Sequence, residues 1–113
     1  MHELALVESI CEVIDETVKE RGVNRVLQVR LLAGGLTGIE DAMMKACFEI
    51  VVQNTPAEGA ELVIEHTPIR VQCRECGNEY QTEIPFSDCT VCGSGGIRVL
   101  SGRELYIESL EVE

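Results

Sequence analysis

The chain has 113 residues, 20 acidic side chains against nine basic ones, a formal net charge of -11, six cysteines and no tryptophan. That length suits one domain, or one with a small satellite, and 45% hydrophobic with 26% charged residues is a globular composition rather than a disordered one. A nucleic-acid backbone is excluded as partner because clustered Lys and Arg are missing, and a membrane span because the apolar runs are only a few residues long.

The start, Met1-His2-Glu3, has neither a basic region nor a long apolar run, so no secretory signal is expected and the chain is assigned to the cytoplasm. In a reducing compartment, paired cysteines point to metal sooner than to disulfides. From Glu3 to Arg21, Val7, Ile10, Cys11, Ile14 and Val18 recur at spacings of three and four, while Glu8, Glu12, Asp15, Glu16, Lys19 and Glu20 fill the other face. This pattern predicts an amphipathic helix, closed by Gly22. Val26 to Leu32 alternates as a strand. After Gly34-Gly35, Thr37-Gly-Ile-Glu40 reads as a capping box opening a second helix to about Val52. Its expected apolar stripe is Met43, Ala46, Cys47, Ile50 and Val51. A strand over Ala60 to His66 ends at Pro68, and Glu104 to Val112 is again strand-like.

Between them the composition changes. Residues 68–102 hold four of the six cysteines, five of the ten glycines and two of the three prolines. The order predicts an α-β-α-β unit with a metal-stapled insertion, the last strand returning to the first sheet. The alternative is a separate carboxy-terminal module with its own last strand.

Cys73-Arg-Glu-Cys76-Gly77 and Cys89-Thr-Val-Cys92-Gly93 carry the clearest chemistry. Two thiolates three positions apart on a tight turn grip one ion from one side, and the glycine permits the turn and leaves an amide to donate to sulfur. Two facing turns complete a tetrahedral thiolate shell of the structural zinc type, with no open position for substrate. Disulfides and free thiols are the bland alternative. A rubredoxin-like iron site is the sharper one, disfavoured because Tyr80 and Phe86 are the only aromatics inside this loop. Cys11 and Cys47 lie on apolar helical faces and read as small buried hydrophobes.

The amino terminus offers a second kind of site. A bulky His2 should leave Met1 in place. The Met1 amine, the His2 backbone nitrogen and the His2 imidazole can then close two fused chelate rings, with Glu3 completing the set. A planar nitrogen set favours Ni(II) or Cu(II) over zinc. The competing reading is a solvated histidine at a helix start. His66, at a strand end, is expected to be structural or exposed. Hydrolase constellations and phosphate loops are missing.

Together the Met1-His2-Glu3-Leu4-Ala5 start, Leu32-Ala-Gly-Gly-Leu-Thr-Gly-Ile-Glu40, Thr55-Pro-Ala-Glu-Gly-Ala-Glu-Leu62, the paired cysteine turns and Gly102-Arg-Glu-Leu-Tyr-Ile-Glu-Ser-Leu-Glu-Val112 resemble the HypA/HybF family of nickel metallochaperones for hydrogenase maturation. The resemblance spans essentially the whole chain. It implies an α+β fold, a small mixed three-stranded sheet with two helices plus a zinc-ribbon-like insertion. Residues 1–67, completed by strand 103–113, would form a nickel-binding domain, and 68–102 a zinc-binding one. It further implies Ni(II) cargo on Met1, His2 and Glu3, with Glu40 as an extra carboxylate, and structural Zn(II) on Cys73, Cys76, Cys89 and Cys92. The implied partners are the GTPase HypB and the precursor of the hydrogenase large subunit, with no enzymatic activity. Thr90 stands where many relatives have proline. No histidine flanks the cysteines, so a pH-dependent exchange of zinc ligands has no residues to support it.

Overall fold

The computed structural model describes residues 3–83 and 88–113. The chain forms two compact units. The first comprises the chain through Leu32 with Gly38–Glu65 and Tyr106–Glu113, and the second Ala33–Thr37 with His66–Leu105.

In the first unit, α1 (Glu3–Arg21) has the predicted bounds. Gly22 adopts a left-handed φ of 64°, and the Val23 amide donates to the Val18 carbonyl at 3.1 Å. This is a Schellman closure, with half-buried Val23 and Val18 packed against the core beside it. Strand β1 (Val26–Gly34) runs two residues past the expected end, and α2 (Asp41–Val51) follows. Strands β2 (Glu61–Thr67) and β6 (Leu105–Val112) flank β1 in a three-stranded sheet. Arg25 exchanges backbone hydrogen bonds with Glu113, and Gly34 donates to Glu104, so β6 is antiparallel to β1. Gln28 reaches Glu61 at 2.7 Å and Arg30 pairs with Glu65, so the partners ascend together and β2 runs parallel, as a crossover through α2 requires. The sheet is therefore mixed, and the closing strand belongs to it rather than to a separate module.

The core is aliphatic apart from one ring. Val7, Ile10 and Ile14 of α1, Val26, Val29 and Leu31 of β1, and Met44, Phe48 and Val52 pack with Ala57 and Leu62. This corrects the expected stripe of α2. Cys47 and Val51 pack at the edge of the core, but Met43, Ala46 and Ile50 face solvent, Ile50 being 66% exposed. Eight of the eleven α2 residues are apolar or alanine, so two stripes compete, and the one carrying Phe48 buries the larger payload.

The capping box is also corrected. The Thr37 hydroxyl donates to the Gly34 carbonyl at 2.8 Å, and α2 begins only at Asp41, with Glu40 as an extended N-cap that makes no side-chain cap bond. The turn takes up Thr37 before the helix can use it. The Glu40 amide instead donates to the Glu3 carboxylate at 3.3 Å. At the other end, Asn54 is left-handed and the Thr55 hydroxyl donates to the Val52 carbonyl at 2.6 Å.

In the second unit, β3 (Ile69–Cys73), β4 (Glu79–Thr82) and β5 (Ile97–Ser101) form an antiparallel sheet in the order β4-β3-β5. Its buried apolar side chains, among the described residues, are few: Ala33, Ile69, Val71, Cys73 and Cys89. A backbone node supplements them. Gly34 lies so close to Gly102 that a β-carbon there would sit 2.1 Å from the Gly102 carbonyl oxygen, so only glycine fits. The Glu104 carboxylate accepts from the Thr67 hydroxyl and the Gly102 amide, both at 2.8 Å. Its own amide, Thr67 and Gly102 hold its carboxyl below the usual range.

Candidate metal centre

The two cysteine turns are built alike. Cys73 closes β3, its amide donates to the Asn78 carbonyl at 2.9 Å, and the Gly77 amide donates back to the Cys73 carbonyl at 3.0 Å. Cys89 repeats the pattern with Ser94 at 2.8 Å and Gly93 at 3.0 Å. Gly77 and Gly93 have φ of 76° and 74°, the left-handed conformation that reverses the chain after each second cysteine. The glycine amides therefore bind carbonyl oxygen, not sulfur as the motif alone suggests. Sulfur receives other amides: Val91 and Cys92 donate to Cys89 Sγ at 3.3 and 3.5 Å.

These turns bring all four sulfurs within 4.8 Å of one another. Cys73 Sγ lies 3.5 Å from Cys92 Sγ, and Cys76 Sγ 3.7 Å from Cys89 Sγ. Bonded sulfurs would be about 2.05 Å apart, and all four are free thiols. A tetrahedron with metal–sulfur bonds of about 2.3 Å has edges of roughly 3.8 Å. The cluster fits a closed four-thiolate shell around one ion, with the first cysteine of each pair buried and the second exposed.

Its electrostatics are uneven. The amides of Cys92 and Val91 hold the Cys89 thiol down at about 6. The amides of Cys76 and Glu75 likewise lower Cys73, against the effect of burial. The Ser94 amide favours a Cys92 thiolate, but Cys73, burial and the other sulfurs push that thiol up to about 12. Cys76 rises too, burial and Cys89 outweighing the Asn78 amide. Without a cation, four sulfurs this close cannot all be thiolates; a divalent ion supplies the missing charge, and its uptake releases protons.

The family model described as hydrogenase/urease nickel incorporation, metallochaperone, hypA matches residues 1–112. The chain belongs to the HypA family. It is 42% identical over 113 residues to the hydrogenase maturation factor HypA of Geobacter metallireducens, with 100% of both chains covered. It is 40% identical over 114 residues to that of Caldanaerobacter subterraneus subsp. tengcongensis, again covering all of both. The solution structure of the Ni metallochaperone HypA from Helicobacter pylori shares the fold, with a TM-score of 0.68 at 20% identity over 99% of this chain and 97% of that one. Another HypA solution structure gives 0.73 at 21% identity, over 100% and 97%. The α+β fold is thereby shared with solved HypA structures, and the family to which the chain belongs is one of metallochaperones for nickel incorporation.

Of the amino-terminal residues, Met1 and His2 lie outside the described residues. Glu3 and Glu40, 37 positions apart in sequence, meet through the carboxylate–amide bond already noted. Cys11 and Cys47 are half-buried against the core of the first unit rather than fully inside it. Burial and then the nearby Asp15 raise the Cys11 thiol to about 11, so it stays protonated and unreactive. His66 is exposed on β2, and Phe86 lies outside the described residues.

Sequence alone marks Tyr80 only as one of two aromatics in its loop. It lies near enough to the sulfurs that Cys89, Cys73 and Cys76 add to burial in raising its hydroxyl pKa. That hydroxyl is buried with no hydrogen-bond partner among the described residues. Its alternation with Glu79 and Gln81 on β4 was the available sequence signal, since it turns one ring inward between two polar neighbours.

Proposed function

We propose that this HypA-family chain is a non-enzymatic cytoplasmic nickel carrier with two metal sites of different design. Zinc is held permanently by Cys73, Cys76, Cys89 and Cys92, where four thiolates leave no position for water or substrate. The zinc-binding domain then corresponds to residues 68–102, and the nickel-binding domain to 1–67 with the strand over 103–113. Nickel is cargo, bound by the Met1 amine, the His2 backbone nitrogen and imidazole, and Glu3, with Glu40 as a further carboxylate. The cargo passes to the large-subunit precursor of the hydrogenase in cooperation with the GTPase HypB.

The observation that carries this reading is the meeting of Glu3 with Glu40 at the junction of α1 and α2. It supports the reading because Glu3, next in sequence to Met1 and His2, is joined through its carboxylate to the backbone of a second acidic residue. Hard carboxylate oxygens there add charge, and the nitrogens of the first two residues supply the preference for nickel. Ligands drawn from a chain terminus also suit stepwise exchange with an acceptor, which an enclosed site would hinder.

Native mass spectrometry of the untagged protein with stoichiometric nickel tests the reading. One zinc and one nickel per chain are expected, with His2→Ala keeping the zinc and losing the nickel. Zinc alone in the unaltered protein would point instead to a zinc-ribbon interaction module without cargo. A red, redox-active preparation would identify a rubredoxin-like iron centre.

A further inference from the structure

Helix α2 is apolar on two sides but buried on one. Asp41, Lys45 and Glu49 are its only charged residues; Met44, Phe48 and Val52 enter the core, and Met43, Ala46 and Ile50 form a second stripe at the i, i+3, i+7 spacing of a packed helix face. Met43 is 47% and Ile50 66% exposed. A helix hydrophobic nearly all round belongs between two layers, and here one layer is missing.

The neighbourhood says what the missing layer is. Helices α1 and α2 run side by side in one direction: Glu3 bonds Glu40 at one end, and Cys11, Ile14 and Asp15 share a small cleft with Val51 and Val52 at the other. With this parallel packing, helical periodicity turns the Met43 and Ile50 side of α2 toward α1, whose Leu4 is itself 48% exposed. Exposed Glu8, Glu12, Glu16 and Glu20 follow one another at four-residue intervals along α1, with Asp15 between. Such like-charge spacing costs the isolated helix stability. The asymmetry extends to the whole unit. The first unit holds fifteen acidic and five basic residues, a net of -10, and the second five and four, a net of -1, which together give the chain's -11. A second copy on this face would bring -10 against -10, so self-association there is opposed.

We infer that the exposed stripe of α2, bordered by the acidic flank of α1, is the docking face for a basic amphipathic helix of a partner protein. Its apolar residues would recur at spacings of three and four against Met43, Ala46 and Ile50, and its Lys or Arg residues would meet Glu8, Glu12 and Asp15. The stripe supplies the contact area, and the acids supply orientation and a fast, salt-sensitive encounter. Neither metal takes part in this contact.

The test is an NMR and calorimetric titration of the zinc-loaded chain with a synthetic Leu/Lys amphipathic helix of about the length of α2. Amide shifts should follow the α1/α2 seam and spare β6. Met43→Gln with Ile50→Gln leaves the net charge unchanged and should weaken binding about tenfold or more. Glu8→Gln, Glu12→Gln and Asp15→Asn together should weaken it and flatten its salt dependence. Glu58→Gln, Glu108→Gln and Glu111→Gln remove as much charge elsewhere and should do neither. Unaltered affinity in the Met43→Gln, Ile50→Gln double variant, or equal binding of a Ser/Lys peptide without an apolar face, would overturn the inference. So would a dimer of the free chain that the same double variant abolishes, since the stripe would then belong to a second copy.

Discussion

The two units of this small protein cohere by different means. The first, among the described residues, buries eleven apolar side chains in one cluster that includes Phe48, Ile14 and Leu31, and it carries nearly all of the net charge. Among the described residues, the second buries a handful of apolar side chains, two of them cysteines, and it relies on a sulfur cluster and on close backbone contacts around Gly34, Gly102 and Glu104. A core can tolerate fifteen surface carboxylates because it is held from within. A three-stranded sheet with so little core needs a covalent or coordinate staple. The unit able to stand without metal is also the one whose chain end is proposed to carry it.

The largest expected effect comes from removing the staple. Cys76→Ser, or prolonged chelation, should cost the second unit its fold, because zinc contributes on the order of 10–16 kcal/mol in small zinc modules. Amide signals of Ile69–Cys73 and Ile97–Ser101 should collapse to unfolded positions while those of α1 persist. Simultaneous collapse of α1 would show that the units do not cohere independently.

The reciprocal perturbation is Phe48→Ala. It should destabilise the first unit by about 3–5 kcal/mol, as loss of a buried ring does, while zinc content stays at one per chain. Zinc loss in step with this substitution would break the contrast from the other side.

Gly34→Ala is smaller. Its β-carbon would collide with the Gly102 backbone, which has no flexible side chain to move aside, so a destabilisation of about 1–3 kcal/mol or more is expected in denaturant titrations. An unaffected midpoint would mean that this close approach does not hold the second unit.

Glu104→Gln should be the mildest, about 1 kcal/mol at neutral pH for weakened bonds to Thr67 and Gly102. The sign with pH follows from its lowered carboxyl pKa. The ionised group stabilises fully above the ordinary glutamate value of about 4.3, and that increment fades as pH falls through the lower folded value. The gap between the parent and Glu104→Gln should therefore close in acid, and a gap that widens there would reverse the assignment.

Much of this was legible in the residues alone. The α1 bounds followed from a single unambiguous stripe and a terminal glycine. The sulfur cluster followed from two identical turns at ligand spacing. Both are local patterns with few competing solutions. The stripe of α2 was not legible, because with eight apolar or alanine positions in eleven, periodicity cannot say which face the sheet takes; the bulk of Phe48 decided it in three dimensions. Thr37 misled because a capping box and a tight turn begin with the same residue types: its hydroxyl donates back to the Gly34 carbonyl, and the Glu40 amide that would have capped on it donates to Glu3 instead. The Glu3–Glu40 meeting and the Gly34–Gly102 approach are long-range contacts that no local spacing announces. Nor does a composition shift signal that Ala33–Thr37 joins the second unit.

The claim that one chain carries a permanent staple and an exchangeable cargo is tested most directly by nickel titration of the untagged protein beside a version extended ahead of Met1, with zinc quantified in both. An extension converts the free amine to an amide and destroys the chelate without touching a cysteine. Nickel binding should be lost in the extended chain while zinc remains at one per chain in both. Equal nickel affinity in the two, with zinc intact, would contradict the claim.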